Sequence, residues 1–338
     1  MVEIKKRIKY LDTLKAFAIM GIVFLHCFTL WNPILVHGIN MFKLNQIARL
    51  GVPIFVMVSG ALLLGRDEDI KLFFKKRFVR VCYPLLFFIP FTYILNIEPN
   101  PLMAYWFCWM IIGAYLAIPF ISKIINNSSI VEIEYFLIIF LFAIIFYQIM
   151  QTIDYKFSLD LNFFITPVSY LIFGYYLSKK EFALSPSKII IISTIVFIIS
   201  TLIKMKLGNF WDVYPKINMY SALDFSIFQV LQASSFFLIV RYIYSDGENI
   251  FTNIKKLLEK EIINKIILSI SRSSYGIYLV HMLFVMGIYR PFAKTAQLTG
   301  SQMFVYCVFA FFFAFIASWI ITLILSRIPY INKISGYG

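Results

Sequence analysis

Apolar residues do not alternate along this chain; they come in runs, each closed by a short polar, Pro- or Gly-bearing segment. A helix rises about 1.5 Å per residue, so roughly 20 mostly apolar residues cross the hydrocarbon core of a bilayer. Ten runs of this kind stand at residues 11–30, 46–64, 81–96, 104–121, 134–150, 163–178, 188–204, 223–244, 269–288 and 301–326. In lipid every backbone polar group must be paired internally, so the pattern predicts an all-α polytopic membrane bundle of about ten transmembrane helices. Residues 250–268 read differently. There Ile250, Ile254, Leu257, Leu258, Ile262 and Ile266 share one helical face among lysines and glutamates, which predicts a helix lying on the inner membrane surface.

Composition strengthens this reading. Of 338 residues, 61% are hydrophobic, 19% aromatic and only 14% charged, with a mean hydropathy of +0.82, far from the usage of soluble globular domains. The formal net charge of +14 would point to nucleic acid in a soluble domain. Here the basic residues occupy short segments between apolar runs, where they set membrane orientation, and no nucleic-acid partner is expected. With the N-terminus inside, 21 of the 31 lysines and arginines fall in cytoplasmic segments and eight outside, which predicts both termini in the cytoplasm. The start "KKRIK" followed by an apolar run mimics a secretory signal, but no small-residue cleavage site follows, so this run is expected to remain as the first helix. Cys27, Cys82, Cys108 and Cys307 lie inside apolar runs without CxxC pairing and read as small buried hydrophobes; no metal site is expected. No repeat and no long polar segment interrupts the pattern. The expectation is one membrane domain over 1–338 with no appended soluble domain.

Polar residues inside the runs change the picture, because ionisable groups in a span are costly and mark function by default. Lys15 and His26 are eleven residues apart, within about 20° of one helix face and separated by about 16.5 Å along the axis. Asp12 stands three residues before Lys15, at a spacing that permits a neutralising pair. "KLFFKKRFVRVCYPLL" carries Arg77 and Arg80 on one helix face, a spacing that suits bidentate bonds to phosphate or pyrophosphate; positive-inside anchoring accounts equally well for them and better for Lys71, Lys75 and Lys76. Ser59 and Gly60 in "VPIFVMVSGALL" read first as a close-packing site. Tyr105, Trp106 and Trp109 open the fourth run as an interfacial aromatic belt. The ninth run, "SRSSYGIYLVHMLF", holds Arg272, Tyr275, Tyr278 and a second intramembrane histidine, His281, which is as readily a packing histidine as a functional one. His37, in an outer loop, carries no special signal. No GxSxG, HExxH, Walker or GxGxxG pattern is present, so hydrolase, protease and nucleotide-motor chemistry lack support.

Taken in order, "LDTLKAFAIMGIVFLH", "VPIFVMVSGALL", "KKRFVRVCYPLL", "YWFCWMIIGAYLAIPFI" and "SRSSYGIYLVHMLF" resemble the acyltransferase family 3 membrane proteins over essentially the whole chain. Within that family the sequence is most similar to the stand-alone O-acetyltransferases of surface polysaccharides, of the enterobacterial common antigen type. The resemblance implies a multi-pass protein of the prokaryotic cytoplasmic membrane, with acetyl-CoA as acyl donor substrate, no permanently bound cofactor, and a surface or lipid-linked glycan as acceptor. The family's arginine, ten residues, histidine signature maps onto Lys15 and His26, with lysine in place of arginine; its arginine pair maps onto Arg77 and Arg80, and its "SG" onto Ser59 and Gly60. On this reading Lys15, Arg77 and Arg80 bind the donor phosphates. His26 acts as general base or transient acyl carrier, and Ser59 or Tyr278 serves as oxyanion donor. Asp12, Trp106 and His281 remain further intramembrane candidates. The competing reading is a transporter or flippase for a glycan or acylated intermediate, its intramembrane charges lining a path.

Overall fold

The computed structural model describes residues 7–30, 41–95, 105–153, 158–211, 226–246, 251–293 and 300–338. Among these the regular structure is helical, without strands: α1 (Lys9–Leu30), α2 (Met41–Ala48), α3 (Gly51–Leu63), α4 (Ile70–Ile94), α5 (Trp106–Asn127), α6 (Ile130–Thr152), α7 (Pro167–Lys179), α8 (Pro186–Trp211), α9 (Ile227–Ile243), α10 (Thr252–Glu259), α11 (Glu261–Ala293) and α12 (Gly300–Arg327). Short 3₁₀ turns occur at Asn162–Phe164 and Ile331–Ile334. His37 lies outside the described residues, as does Ile250.

Each run expected from the sequence holds a helix among the described residues, and eight helical stretches there are long and apolar enough to cross a membrane. The runs at 163–178 and 223–244 give only 13 residues in α7 and 17 in α9. At about 1.5 Å per residue α7 spans roughly 20 Å, short of the hydrocarbon thickness. Its sequence is apolar because it is buried, not because it faces lipid: α7 crosses α3 so closely that a Cβ on Gly60 would stand 1.9 Å from the Leu171 carbonyl oxygen, and one on Gly174 2.0 Å from that of Met57. Two glycines thus let the backbones touch.

The surface helix expected over 250–268 breaks in two. Lys260 takes an extended conformation (ψ 135°) at the C-cap of α10, and Ile262 and Ile266 belong to α11, which starts eight residues earlier than the run at 269–288 indicated. Ile254 and Leu257 remain exposed on α10. Lys204 stands at the end of the run at 188–204. It is 4% exposed within α8, and its ammonium donates to Gln229 and Gln232 of α9.

α1 is the centre of the bundle, packed on α3, α11 and α12, with Leu14, Ala18, Ile19 and Val23 fully buried. The peripheral helices carry exposed apolar stripes at helical spacing, such as Ile138, Phe142, Ile145 and Ile149 on α6 and Ile191, Ile195, Ile198 and Leu202 on α8. Water would penalise such faces; lipid tails match them. Residues 7–12, 251–260 and 331–338 share one end of the bundle. Lys9 pairs with Glu259 at 2.8 Å, and the Gly338 N–H donates to the Arg272 carbonyl at 2.9 Å.

Candidate active site

At that end, α1, α3, α4, α5 and α11 enclose an open cavity with about 850 Å³ of empty space. Lys15, Ser59, Arg77, Arg80 and Tyr278, five of the residues singled out from the sequence, all line it. Arg77 and Arg80 reach it together because α4 begins at Ile70, N-capped by the Asp69 carboxylate accepting from the Leu72 N–H at 2.9 Å. The basic segment is therefore the first three turns of the helix, and residues three apart share its face. Phe55, Phe107 and Ile111 complete the apolar part of the lining.

Among the described residues no carboxylate side chain lies within ion-pair distance of Lys15, Arg77 or Arg80, and the Arg77 Nε is buried without a hydrogen-bond partner. The pairing of Asp12 with Lys15 that the spacing permits does not form. Asp12 instead accepts from Arg7 at 2.5 Å and from the Ser271 hydroxyl at 2.6 Å. A residue three positions back is displaced by about 60° around the helix, enough to turn Asp12 to the α11 seam while Lys15 faces the cavity. At the rim, Glu68 is engaged by Lys76 at 2.5 Å, a bond that holds its carboxyl below the usual carboxylate range. Burial, and then the charge of Arg77, push the Arg66 guanidinium below its ordinary value. The Arg77 guanidinium also lies over the Phe73 ring, 5.7 Å from its centroid.

His26 is not part of the cavity wall; it meets His281 instead. α1 and α11 run parallel, so Asp12 pairs with Ser271 at one level and His26 with His281 further along. His26 Nδ1 and His281 Nε2 are 2.7 Å apart, and the two ring planes differ by 9° with centroids 5.0 Å apart. That centroid separation equals the nitrogen separation plus one ring radius at each end. The rings are therefore coplanar and joined edge to edge, not stacked face to face. His281 is 1% exposed, and its Nδ1 lies 2.6 Å from the Tyr278 carbonyl oxygen and 3.1 Å from that of Ile277. The His26 ring is half-buried, and no described group hydrogen-bonds its Nε2. Tyr278 connects the two places: it lines the cavity, and its ring centroid is 5.8 Å from that of His281.

Two tyrosines singled out in the sequence without a catalytic role brace the site. Tyr275 donates to the Val81 carbonyl at 2.8 Å and lies 3.6 Å from Cys108 Sγ, tying α11 to α4 and α5. Tyr105, expected as part of an aromatic belt, donates across to the Leu279 carbonyl at 3.2 Å and is buried. Beyond the last apolar run, Gly336 takes a positive φ of 69° where its backbone packs on Gly276, and Gly338 lies against the Arg80 guanidinium. The tail thus packs beside Arg80 and α11, a placement visible in the sequence only as the glycines of "SGYG". Trp106 stands half-buried on the first turn of α5 against Phe107, away from the cavity lining.

No curated protein and no solved structure matches the chain. The model of the acyltransferase domain of family 3 does match, over residues 8–323. That interval holds every residue of the cavity wall and both histidines, and the protein it describes, a multi-pass helical bundle, belongs to the acyltransferase family 3.

Proposed function

We propose that this acyltransferase transfers acetyl from cytoplasmic acetyl-CoA to a hydroxyl of a cell-surface or lipid-linked glycan, as the stand-alone surface-polysaccharide O-acetyltransferases it resembles do, including those of the enterobacterial common antigen type. The observation that carries this reading is the trio Lys15, Arg77 and Arg80, which face one cavity with no acidic partner among the described residues. Lys15 and Arg77 are half-buried, and cations so placed are costly unless an anion completes them; the exposed Arg80 stands beside them at the cavity wall. The phosphates of a coenzyme A thioester supply such anions, and planar guanidiniums bind them through paired charge-assisted bonds.

The remaining lining fits the rest of the donor. Past the cations the wall turns to Phe55, Phe107, Ile111, Ser59 and Tyr278, a surface for an apolar acyl-thioester arm with the Ser59 hydroxyl beside it. The axial rise of about 16.5 Å from Lys15 to His26 separates phosphate binding from chemistry by the length of an extended arm. At the histidine, the acceptor hydroxyl gives its proton to His26 Nε2 and its oxygen forms the new bond to the thioester carbonyl carbon. The carbon–sulfur bond then breaks, and the proton leaves with the thiolate as free CoA. Ser59, whose hydroxyl has no protein partner among the described residues, is the group we assign as donor to the developing oxyanion. The Tyr278 hydroxyl already bonds the backbone of Phe107.

Purified protein in lipid vesicles, given labelled acetyl-CoA and a glycan acceptor, tests the proposal. Label should appear on the glycan, with the donor KM dependent on Arg77 and Arg80. Movement of glycan across the bilayer without acetyl transfer would establish the transporter reading in its place.

A further inference from the structure

We infer that His281 is a positioning residue: its edge-to-edge bond fixes His26 in the tautomer that leaves Nε2 bare, and it shares the charge of the proton that His26 collects. The inference rests on the acyl-transfer reading for its purpose, but the hydrogen-bond geometry alone determines the tautomer.

A carbonyl oxygen only accepts, so the His281 Nδ1 that faces the Tyr278 and Ile277 carbonyls at 2.6 and 3.1 Å must carry the hydrogen. Both carbonyls come from the preceding turn of α11, so the helix itself holds the ring. A neutral imidazole has one N–H; His281 Nε2 is therefore a lone pair, and the atom 2.7 Å away, His26 Nδ1, must be the donor. This assigns the single hydrogen of neutral His26 to Nδ1 and leaves Nε2 as a free base. The reverse assignment would aim a His281 lone pair at two carbonyl oxygens. A doubly protonated His281 would be a buried cation with no carboxylate within ion-pair distance among the described residues.

The arrangement has the form of a base oriented by a third group, with a neutral imidazole where soluble enzymes commonly use a carboxylate. Inside a membrane that substitution has a reason, since a permanent negative charge at this depth is costly and a neutral ring is not. When His26 Nε2 takes the acceptor proton, Nδ1 keeps its own hydrogen bonded to His281 Nε2, and the positive charge spreads over two coplanar rings. The same proton then returns from Nε2 to the departing thiolate.

Nitrogen-15 NMR of histidine-labelled protein in lipid nanodiscs reads the tautomer directly, with His37→Asn and His281 variants assigning the signals. His26 should show a protonated Nδ1 and an unprotonated Nε2. In His281→Leu the acceptor is gone, so an Nε2–H population should appear on His26, and kcat should fall about 10²- to 10³-fold with the KM for acetyl-CoA unchanged. In His281→Gln the amide oxygen can accept from His26 Nδ1, and this variant should keep the tautomer and most of kcat. A protonated Nε2 on His26 in the unmodified protein overturns the inference even if the Leu variant fails to fold, and so do equal kcat losses in the two variants. Acetyl transfer by protein with that wrong tautomer would remove this inference alone; the expected tautomer in a protein that transfers nothing would remove the acyl-transfer reading alone.

Discussion

Lys15 and His26 leave α1 on nearly the same face yet meet different surroundings: Lys15 lines the open cavity, while His26 lies beyond it, bonded to His281. The eleven-residue spacing thus places a cation at the mouth and an imidazole deeper in the bundle. Asp12, despite its proximity in sequence, joins neither, because Arg7 and Ser271 hold its carboxylate. Removing each charge should therefore have different effects. Lys15→Met should raise the KM for acetyl-CoA by roughly 10- to 100-fold, the equivalent of a charge-assisted bond worth about 1.5–3 kcal/mol. Asp12→Asn should leave that KM within a few-fold and instead lower thermal stability. Steady-state kinetics beside thermal unfolding in detergent would check this, and equal KM effects would mean that Asp12 neutralises Lys15 after all.

Arg77 and Arg80 face the cavity, whereas Lys75 is about 200° from Arg77 around the helix and exposed. Arg77→Ala and Arg80→Ala should each weaken donor use by roughly the same 10- to 100-fold at normal membrane abundance, with Lys75→Ala close to the unmodified protein. Uniformly small losses across the three would assign the segment to membrane anchoring.

The positive-inside distribution and the shared end of the bundle give an orientation that labelling can check. Asp67 is exposed in the segment between α3 and α4, so an Asp67→Cys protein should react with an impermeant maleimide only after the cells are opened. Labelling of intact cells at that position would place Arg77 and Arg80 outside, away from cytoplasmic acetyl-CoA.

Close packing at Ser59–Gly60 was the sequence's first reading, and the structure gives it a geometry in which Gly60 and Gly174 let α3 and α7 touch. Gly60→Ala would put a methyl 1.9 Å from the Leu171 carbonyl oxygen, with backbone on both sides and no flexible side chain to yield. The expected cost is at least about 3 kcal/mol, the upper end of overpacking, seen as a lowered unfolding temperature. Gly113→Ala meets no atom within 4 Å and should be neutral or slightly stabilising. Indistinguishable unfolding of the two variants would mean that the helices part easily.

The apolar runs made the helical architecture legible because lipid imposes one solution on an apolar segment. They could not separate helices that face lipid from helices buried by other helices: α7 reads as a span and is an interior helix. Charge was legible as residue type but not as partnership. Lys204 reads only as a cation closing an apolar run and is bonded inside the bundle to two glutamines, while Asp12 had a nearer partner in sequence than in space. The cavity cations emerged from the one-face spacing of Arg77 with Arg80, since α4 is continuous through both. His281 was visible as an intramembrane histidine, but its bond to His26 depends on how two helices 255 residues apart lie side by side, and no local pattern records that.

His26 separates an enzyme from a conduit. As base, it needs an unprotonated nitrogen, and as acyl carrier it needs a nucleophilic one; both demands fall on Nε2, the atom left without a partner among the described residues. Glutamine can reproduce the hydrogen bond to His281 by donating from its amide nitrogen, and so can keep the α1–α11 contact. It cannot take a proton at neutral pH or carry an acyl group. His26→Gln should therefore accumulate as folded protein, bind acetyl-CoA with near-normal affinity through Lys15, Arg77 and Arg80, and lose transfer by about 10²- to 10⁴-fold, the usual contribution of a positioned acid–base group. His26→Ala should lose transfer to the same extent, since it too lacks the base. Ligand binding measured beside turnover divides the outcomes: lost turnover with retained binding is the signature of chemistry at His26, and near-normal acetylation by the Gln variant would return this histidine to a structural role.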